Sequence, residues 1–261
     1  MEYYEHPHVK TLKAIAENWF FEPDLSSRQS SRTDTPHDAR AITRLVSTAS
    51  WAVQDPYSDT VAQFVKRYRK AQEMKLEKMR NGEIVELFAK FQKDIDKLFF
   101  FTQLTREVET YEGSKVTLVR LRVTDKLPEG PWAGTFSRGK DGHLISIFRY
   151  SDKGKHLGHD PFEHMLHTLL HEMCHAYLTI FSDKRHNRHK EWVGDFDGHG
   201  EMFWVLLRFI AEKIGVYTGS ERWRARTDWV NDQCYARTNT KGKPGTWGTP
   251  EKTLMGGVLA P

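Results

Sequence analysis

The stretch DPFEHMLHTLLHEMCHAYLTIF, residues 160–181, decides how this chain is read. Asp160 can cap a helix, and Pro161 stands in its first turn, where a missing N–H costs nothing. At 100° per residue, Phe162, Leu166, Leu169, Met173 and Ile180 gather in a sector roughly 160–220° from His171, as the buried stripe of an amphipathic helix does. His171 and His175 lie about 40° apart on the opposite face and one turn apart along the axis, so both imidazoles can reach one metal ion. Glu172, about 100° from His171, stands beside that ion without being a ligand. This is the helical HExxH arrangement, which binds zinc through its two histidines and uses the glutamate as a base toward water.

Catalytic zinc takes three protein ligands and keeps a fourth position open. A third histidine six residues after the second is absent here, because that position is Phe181. The leading candidate is His199 in Gly198-His199-Gly200-Glu201-Met202-Phe203, where flanking glycines let the start of a helix come close to the first one. Glu201, Glu191, Asp195 and Asp197 are acidic rivals for the same place. His164 and His167 share the ligand face, but His164 is about 10 Å further along the axis, so both are expected to line a groove or face solvent. His186 and His189 read as members of a solvated loop, and Cys174 as a buried, inert thiol.

HEMCHAYL (171–178) followed by GHGEMF (198–203) resembles the SprT-like, or Spartan, metalloprotease domain. The likeness extends upstream, where LFAKFQKDIDKLFFFTQL (87–104) is similar to the helix before that family's first strand and AGTFSRGKDGHLISI (133–147) to its hairpin. The resemblance implies an α+β, zincin-like fold and a zinc endopeptidase that degrades DNA-bound proteins, including proteins crosslinked to DNA. In that reading zinc on His171, His175 and His199 activates water, and Glu172 takes its proton and returns it to the leaving amine. The substrate would add as an extended strand at an exposed edge of the 143–149 strand. Two departures stand out: the segment between His175 and His199 is long, so that Arg188 to Asp197 reads as an inserted loop over the site, and the cysteines of a following zinc ribbon are absent.

Outward from the motif, the chain divides into an extension with a polar linker (1–57), a metalloprotease domain (58–217) and a basic, aromatic tail (218–261) expected to be irregular. Residues 24–40, DLSSRQSSRTDTPHDAR, are too polar to order themselves by burial. A helix capped by Ser58 or Asp59 is expected to run to about Asn81-Gly82, and Ile84, Leu87, Phe88, Phe91, Ile95, Leu98 and Phe99 mark a second, amphipathic helix. Residues 116–123, VTLVRLRV, read as a half-buried strand, TFSR and HLISIFR as a hairpin with Asp141-Gly142 at its tip, and 200–214 as a last helix before Gly215.

Composition bounds the rest. The 261 residues carry 39 basic and 35 acidic side chains, a net charge of +4, so any contact with nucleic acid must rest on local patches. Residues 61–80 hold seven basic and two acidic residues, with Lys66, Arg67, Arg69 and Lys70 together, and Arg222, Trp223, Arg224, Arg226 and Trp229 interleave cations with rings that could stack bases. Two cysteines exclude a disulfide-dense scaffold, and neither a secretory leader nor a run long enough to span a bilayer is visible, so a non-secreted, intracellular protein, nuclear or cytoplasmic, is expected. Nine of the thirteen histidines fall between 156 and 199, which concentrates the expected chemistry there.

Overall fold

The computed structural model describes residues 39–110, 113–130, 132–139, 142–151, 160–182, 184–194, 198–228 and 230. Its class is mixed α+β. Two helices, α1 (Ala39–Ala49) and α2 (Trp51–Gln54), precede α3 (Asp59–Gln72) and α4 (Asn81–Phe99). Five short strands follow: β1 (Glu107–Glu109), β2 (Lys115–Thr117), β3 (Val119–Thr124), β4 (Gly134–Ser137) and β5 (His143–Phe148). The chain then forms α5 (Pro161–Phe181), α6 (His189–Val193), α7 (Glu201–Thr218) and a further helix, α8, over 221–228.

The long helices start where side chains can satisfy their open N–H groups. Ser58 Oγ accepts from Val61 N at the start of α3, Glu83 Oε2 accepts from Arg80 N at the start of α4, and Asp160 Oδ1 accepts from Glu163 N at the start of α5. The helix from Ser58 stops at Gln72, well before Asn81, and a 3-10 turn at Leu76–Lys78 fills the gap. Asn81 opens the next helix instead of closing this one. The Glu83 contact competes successfully with the turn tendency of Asn-Gly.

Sheet order is β3-β5-β4, with β3 parallel and β4 antiparallel to β5. The expected hairpin is therefore present, pairing Ser137 with Leu144 and Gly134 with Ile147, although Asp141 of its tip lies outside the described residues. Because β5 has a neighbour on each side, it offers no edge to a substrate, and among the described residues the unpaired edge beside α5 belongs to β4. The single strand expected at 116–123 is divided at Leu118: β2 pairs with β1, and beyond the bend β3 pairs with β5. Leu118 is fully buried, and its N–H and C=O bond to Arg106 O and His143 N, so the bend hands the chain from one sheet to the other with its backbone satisfied.

Helices α4 and α5 pack on each other and on this sheet, while α7 and α1 cover α5 from another side. Phe64, Tyr68, Phe88, Phe91 and Phe162 form one ring cluster joining α3, α4 and α5, with neighbouring centroids 5.4–6.3 Å apart. Residues 39–54, which composition assigns to an extension, belong to this core: Ala39, Ile42, Val46 and Ala52 are buried, Tyr177 donates to Ile42 O and Tyr217 to Ala52 O. Their apolar periodicity lies next to the polar linker and is easily averaged into it.

At the other end, the last long helix passes through Gly215 to Thr218, and Gly219 ends it in the left-handed conformation. A Cβ at Gly215 would stand 3.3 Å from Trp223 Cβ, so this glycine admits α8 to the surface of α7. Residues 221–228 are thus helical rather than irregular, and Trp223 is buried in the core. Residues 231–261, with the remainder of the expected tail and Cys234, and residues 1–38 lie outside the described residues. No helix among the described residues is long and apolar enough to cross a membrane.

Candidate metal centre

Helix α5 is buried almost all round, yet His171, His175 and Thr179 form a half-buried stripe along one side. Phe162, Leu166, Leu169, Met173 and Ile180 lie in the core, as the facing of the motif requires. The third histidine arrives from the start of α7. His171 Nε2 is 3.1 Å from His175 Nε2 and 3.0 Å from His199 Nε2, and the last pair is 3.2 Å apart. These three side chains could hold a metal ion.

The fit can be judged from the donor geometry alone. Nitrogens bound tetrahedrally to zinc at about 2.0–2.1 Å stand roughly 3.3–3.4 Å from one another. The observed triangle needs to open by only a few tenths of an ångström. Burial and the neighbouring imidazoles hold His171 down at about 3 and His175 well below the ordinary histidine range, so their rings are neutral, the form a metal ligand requires.

Local chemistry explains why the chain can bring His199 in. Gly198 has φ +67°, and a Cβ there would meet His175 Nδ1 at 2.8 Å, so only glycine permits both the turn and the approach. Gly200 is pressed on the carbonyl of Trp192, 2.4 Å from where its Cβ would be, and donates to Val193 O. Helix α6 is thereby locked to the start of α7. The long segment that reads as a loop over the site therefore includes a brace: Trp192 is buried, His186 stacks on it at 4.5 Å, and α6 packs on α7 and α1.

Of the acidic rivals, Glu191 bonds to Arg188 at 2.7 and 2.8 Å and Glu201 is exposed in the first turn of α7, whereas Asp195 and Asp197 lie outside the described residues. Neither Glu191 nor Glu201 joins the histidine trio. His186 and His189 are half-buried rather than solvated, the second within 3.4 Å of Ser182 Oγ. Cys174 is a fully buried free thiol, and burial together with the Glu172 charge pushes its pKa up, which keeps it protonated and inert.

Glu172 is only 5% exposed and faces β4. A Cβ on Gly134 would fall 3.1 Å from Glu172 Cγ and 2.6 Å from Thr168 Cγ2. The absent side chain at Gly134 lets the open sheet edge press against the helix at the level of the motif. Nothing in the local sequence announces this contact, since it joins residues 38 positions apart.

Sequence reasoning also overlooks the floor of the site. Phe203 is fully buried and touches all three imidazole rings, and Trp204 stacks on His199 at 5.4 Å. The signal that could have found it is an aromatic residue in the first turn of the helix that follows His199 so closely. Of the two places expected for His164 and His167, the lining of a groove is the one found: both line a cavity with Trp223 and Arg226, and His167 is buried. Trp223, expected to stack on nucleic-acid bases, is 1% exposed and packs on His167 instead, while Trp229 lies outside the described residues. Comparison with protein-family models, curated proteins and solved structures returns no match to this chain.

Proposed function

We propose that the protein is a zinc-dependent endopeptidase with a zincin-like fold. The observation that carries this reading is the convergence of three imidazole Nε2 atoms within 3.0–3.2 Å of one another, with the buried Glu172 next to the first of them in sequence. A site that only stapled two helices together would fill its fourth position from the protein and would need no adjacent base. Zinc held there would act as a Lewis acid toward a peptide carbonyl and toward the water that attacks it.

The chain's own residues supply the rest. Glu172 takes the proton of the attacking water and passes it to the nitrogen of the departing amine, so that the C–N bond breaks without releasing an amide anion. Its low exposure keeps bulk water from levelling that exchange. The free edge of β4 hydrogen-bonds the substrate backbone as an added strand, which holds the scissile bond beside Glu172 with little demand on side-chain identity. Gly134 lets β4 itself lie against the helix beside Glu172.

The reading extends to proteins bound or crosslinked to DNA. It is supported by the resemblance of HEMCHAYL and GHGEMF to the SprT-like family and by the cationic face of α3, where Lys66, Arg69 and Lys70 are exposed. Arg67 is excluded from that face because it pairs with Asp94.

The test measures bound zinc and cleavage of a denatured protein by wild type, Glu172→Gln and His199→Ala, with and without single-stranded DNA. Glu172→Gln is expected to keep its zinc and lose cleavage by at least a hundredfold, and His199→Ala to lose zinc. Cleavage undiminished in Glu172→Gln overturns the enzyme reading, and cleavage indifferent to DNA removes only its nucleic-acid part.

A further inference from the structure

The free edge of β4 ends in a cationic corner. Gly134 faces α5 at Thr168 and Glu172, and side chains alternate along a strand, so Phe136 and Arg138 point to that same side. On β5 the matching positions are Ile147, Ile145 and, one step beyond the Ser137–Leu144 pair, His143. Phe136 meets His143 with ring centroids 5.7 Å apart, as this facing requires. Lys184 reaches the same corner from just beyond the last turn of α5, close enough for its charge to act on both His143 and Arg138.

These groups meet without an acid. His143 is 9% exposed, and burial, with the charges of Arg138 and Lys184, holds it down at about 4, so its ring is neutral and gives the two cations no counter-charge. Its Nδ1 is enclosed without a hydrogen-bond partner. Burial and the Arg138 charge hold Lys184 down at about 8, and loss of solvent lowers Arg138 as well. A carboxylate at the corner would push all three groups the other way. Among the described residues none acts on them, and neither Arg138 nor Lys184 forms an ion pair or a side-chain hydrogen bond. In this they differ from Arg67, Arg149 and Arg222, which are matched by Asp94, Asp125 and Asp160.

The corner lies on the line a peptide would follow. Arg138 stands four residues beyond Gly134, about 13 Å along the strand at about 3.3 Å per residue. A polypeptide added to the β4 edge has its residue opposite Gly134 beside Glu172 and its residue opposite Arg138 at the corner. Cross-strand partners share a face, with Cβ atoms about 4.5–5.5 Å apart, so that second side chain points toward α5 and meets the guanidinium. Two positive charges without a counterion select an acid there over a neutral amide or a cation. A nucleic-acid backbone is the poorer match, because it presents a continuous row of phosphates. The exposed cations that form such a row, Lys66, Arg69 and Lys70, belong to α3.

We propose that Arg138 and Lys184 form a subsite for an acidic side chain of the bound polypeptide, about four residues from the cleaved bond. The proposal rests on the peptidase reading of the trio and on addition of substrate to β4, and it gives that reading a preference: polypeptides with an acidic residue at this one distance are favoured over those with an amide or a basic residue there.

The test uses the full-length chain carrying Glu172→Gln, loaded with zinc, and fluorescent Ala/Ser/Thr peptides with blocked ends in which one Glu, Gln or Lys is moved along the sequence. Anisotropy is expected to show a Glu peptide binding about fivefold or more tightly than its Gln counterpart, with the Lys peptide weakest. Arg138→Gln and Lys184→Gln should each reduce that advantage and together remove it. Replacing both by Glu should reverse the order in favour of the Lys peptide, an outcome that a merely misfolded corner would not produce. Asp141 and Asp183, the acids nearest to these cations in sequence, lie outside the described residues. Asp141→Asn and Asp183→Asn are expected to leave the preference within twofold of its starting value, and a large gain would show the cations to be neutralised already and overturn the proposal. Equal binding of Glu and Gln peptides at every position, or a preference that survives the double Gln variant, overturns it too. So does oligothymidine binding that falls in the double Gln variant while peptide binding does not, since the cations then serve nucleic acid. In parallel, zinc-loaded wild type digests the same peptides, with cuts expected about four residues from Glu. Cleavage without a Glu preference overturns the subsite alone, whereas a Glu preference in binding with no peptide cleaved supports the subsite and overturns the peptidase reading.

Discussion

The ring of Phe203 lies nearly parallel to that of His175, with centroids 4.3 Å apart and planes at 22°. The same ring meets His171 at 4.8 Å and His199 at 4.7 Å, both steeply tilted. One fully buried side chain thus packs against all three imidazoles, and it comes from the first turn of the helix that begins just after the third of them.

Truncating that ring should loosen the trio as well as the core. Phe203→Ala is expected to destabilise the metal-free protein by about 3–5 kcal/mol, the usual range for a buried phenylalanine. Phe203→Leu, which retains much of the volume, should cost less stability yet still weaken zinc binding about tenfold, in line with other groups that orient metal ligands. Urea melts without metal and zinc titrations against a competing chelator separate the two effects. Unchanged zinc affinity in Phe203→Leu would show that the ring is packing alone.

The contact of Gly134 with α5 makes a different prediction. Gly134→Ala places a methyl 2.6 Å from Thr168 Cγ2, so strand or helix must yield, at roughly 1–3 kcal/mol for an overpacked site. Cleavage is expected to fall about tenfold or more while zinc binding changes less, because the contacts displaced are those of Thr168 and Glu172 and not of a ligand. Thr168→Ser removes the offending methyl and keeps the hydroxyl that bonds His164 O, so the double variant should recover part of the activity. A double-mutant cycle in cleavage rate reads this coupling, and strict additivity would deny it.

Asp96 provides a pH dependence whose direction can be worked out. Its carboxylate is fully buried and accepts from Leu104 N, Thr105 N and Thr105 Oγ1, yet burial dominates and raises its pKa from 3.8 to about 6. The folded state therefore holds this proton more tightly than the unfolded chain does. The stabilising contribution is complete below pH about 4 and is lost as pH rises through 6, a swing of at most about 3 kcal/mol. Asp96→Asn cannot titrate, so its stability relative to wild type should improve between pH 4.5 and 7.5, as read by urea melts of metal-free protein. A relative stability independent of pH would contradict the raised pKa.

The basic face of α3 should make itself felt through salt. Replacing Lys66, Arg69 and Lys70 together by Ala is expected to weaken single-stranded DNA binding and to reduce the slope of log affinity against log salt by about 2, at roughly 0.7 per lost phosphate contact. The three side chains are exposed, so thermal stability should hardly change. Fluorescence anisotropy across a salt series measures the slope, and an unaltered slope places any DNA contact elsewhere.

Much of the architecture around the trio is written locally. The helix from Pro161 to Phe181, its cap at Asp160, the facing of His171 and His175 and the β4–β5 hairpin all follow from periodicity and turn chemistry, which act over a few residues. The same local reasoning misjudges the ends of the fold. Residues 39–54 and 221–228 are short helices beside polar segments, and what orders them is burial against α5 and α7, a quantity no window of sequence contains.

Sequence by itself determined which residues could serve as ligands and base, because helical spacing fixes how side chains on one helix face one another. Only the tertiary structure decided which candidate completes the trio, that β4 rather than β5 offers an edge, and that Trp223 faces inward to form a cavity instead of a platform for bases. Each of those depends on contacts between segments far apart in the chain. Such contacts are selected by the packing of whole helices and strands, where a missing methyl at Gly134 or Gly215 matters as much as any charged group.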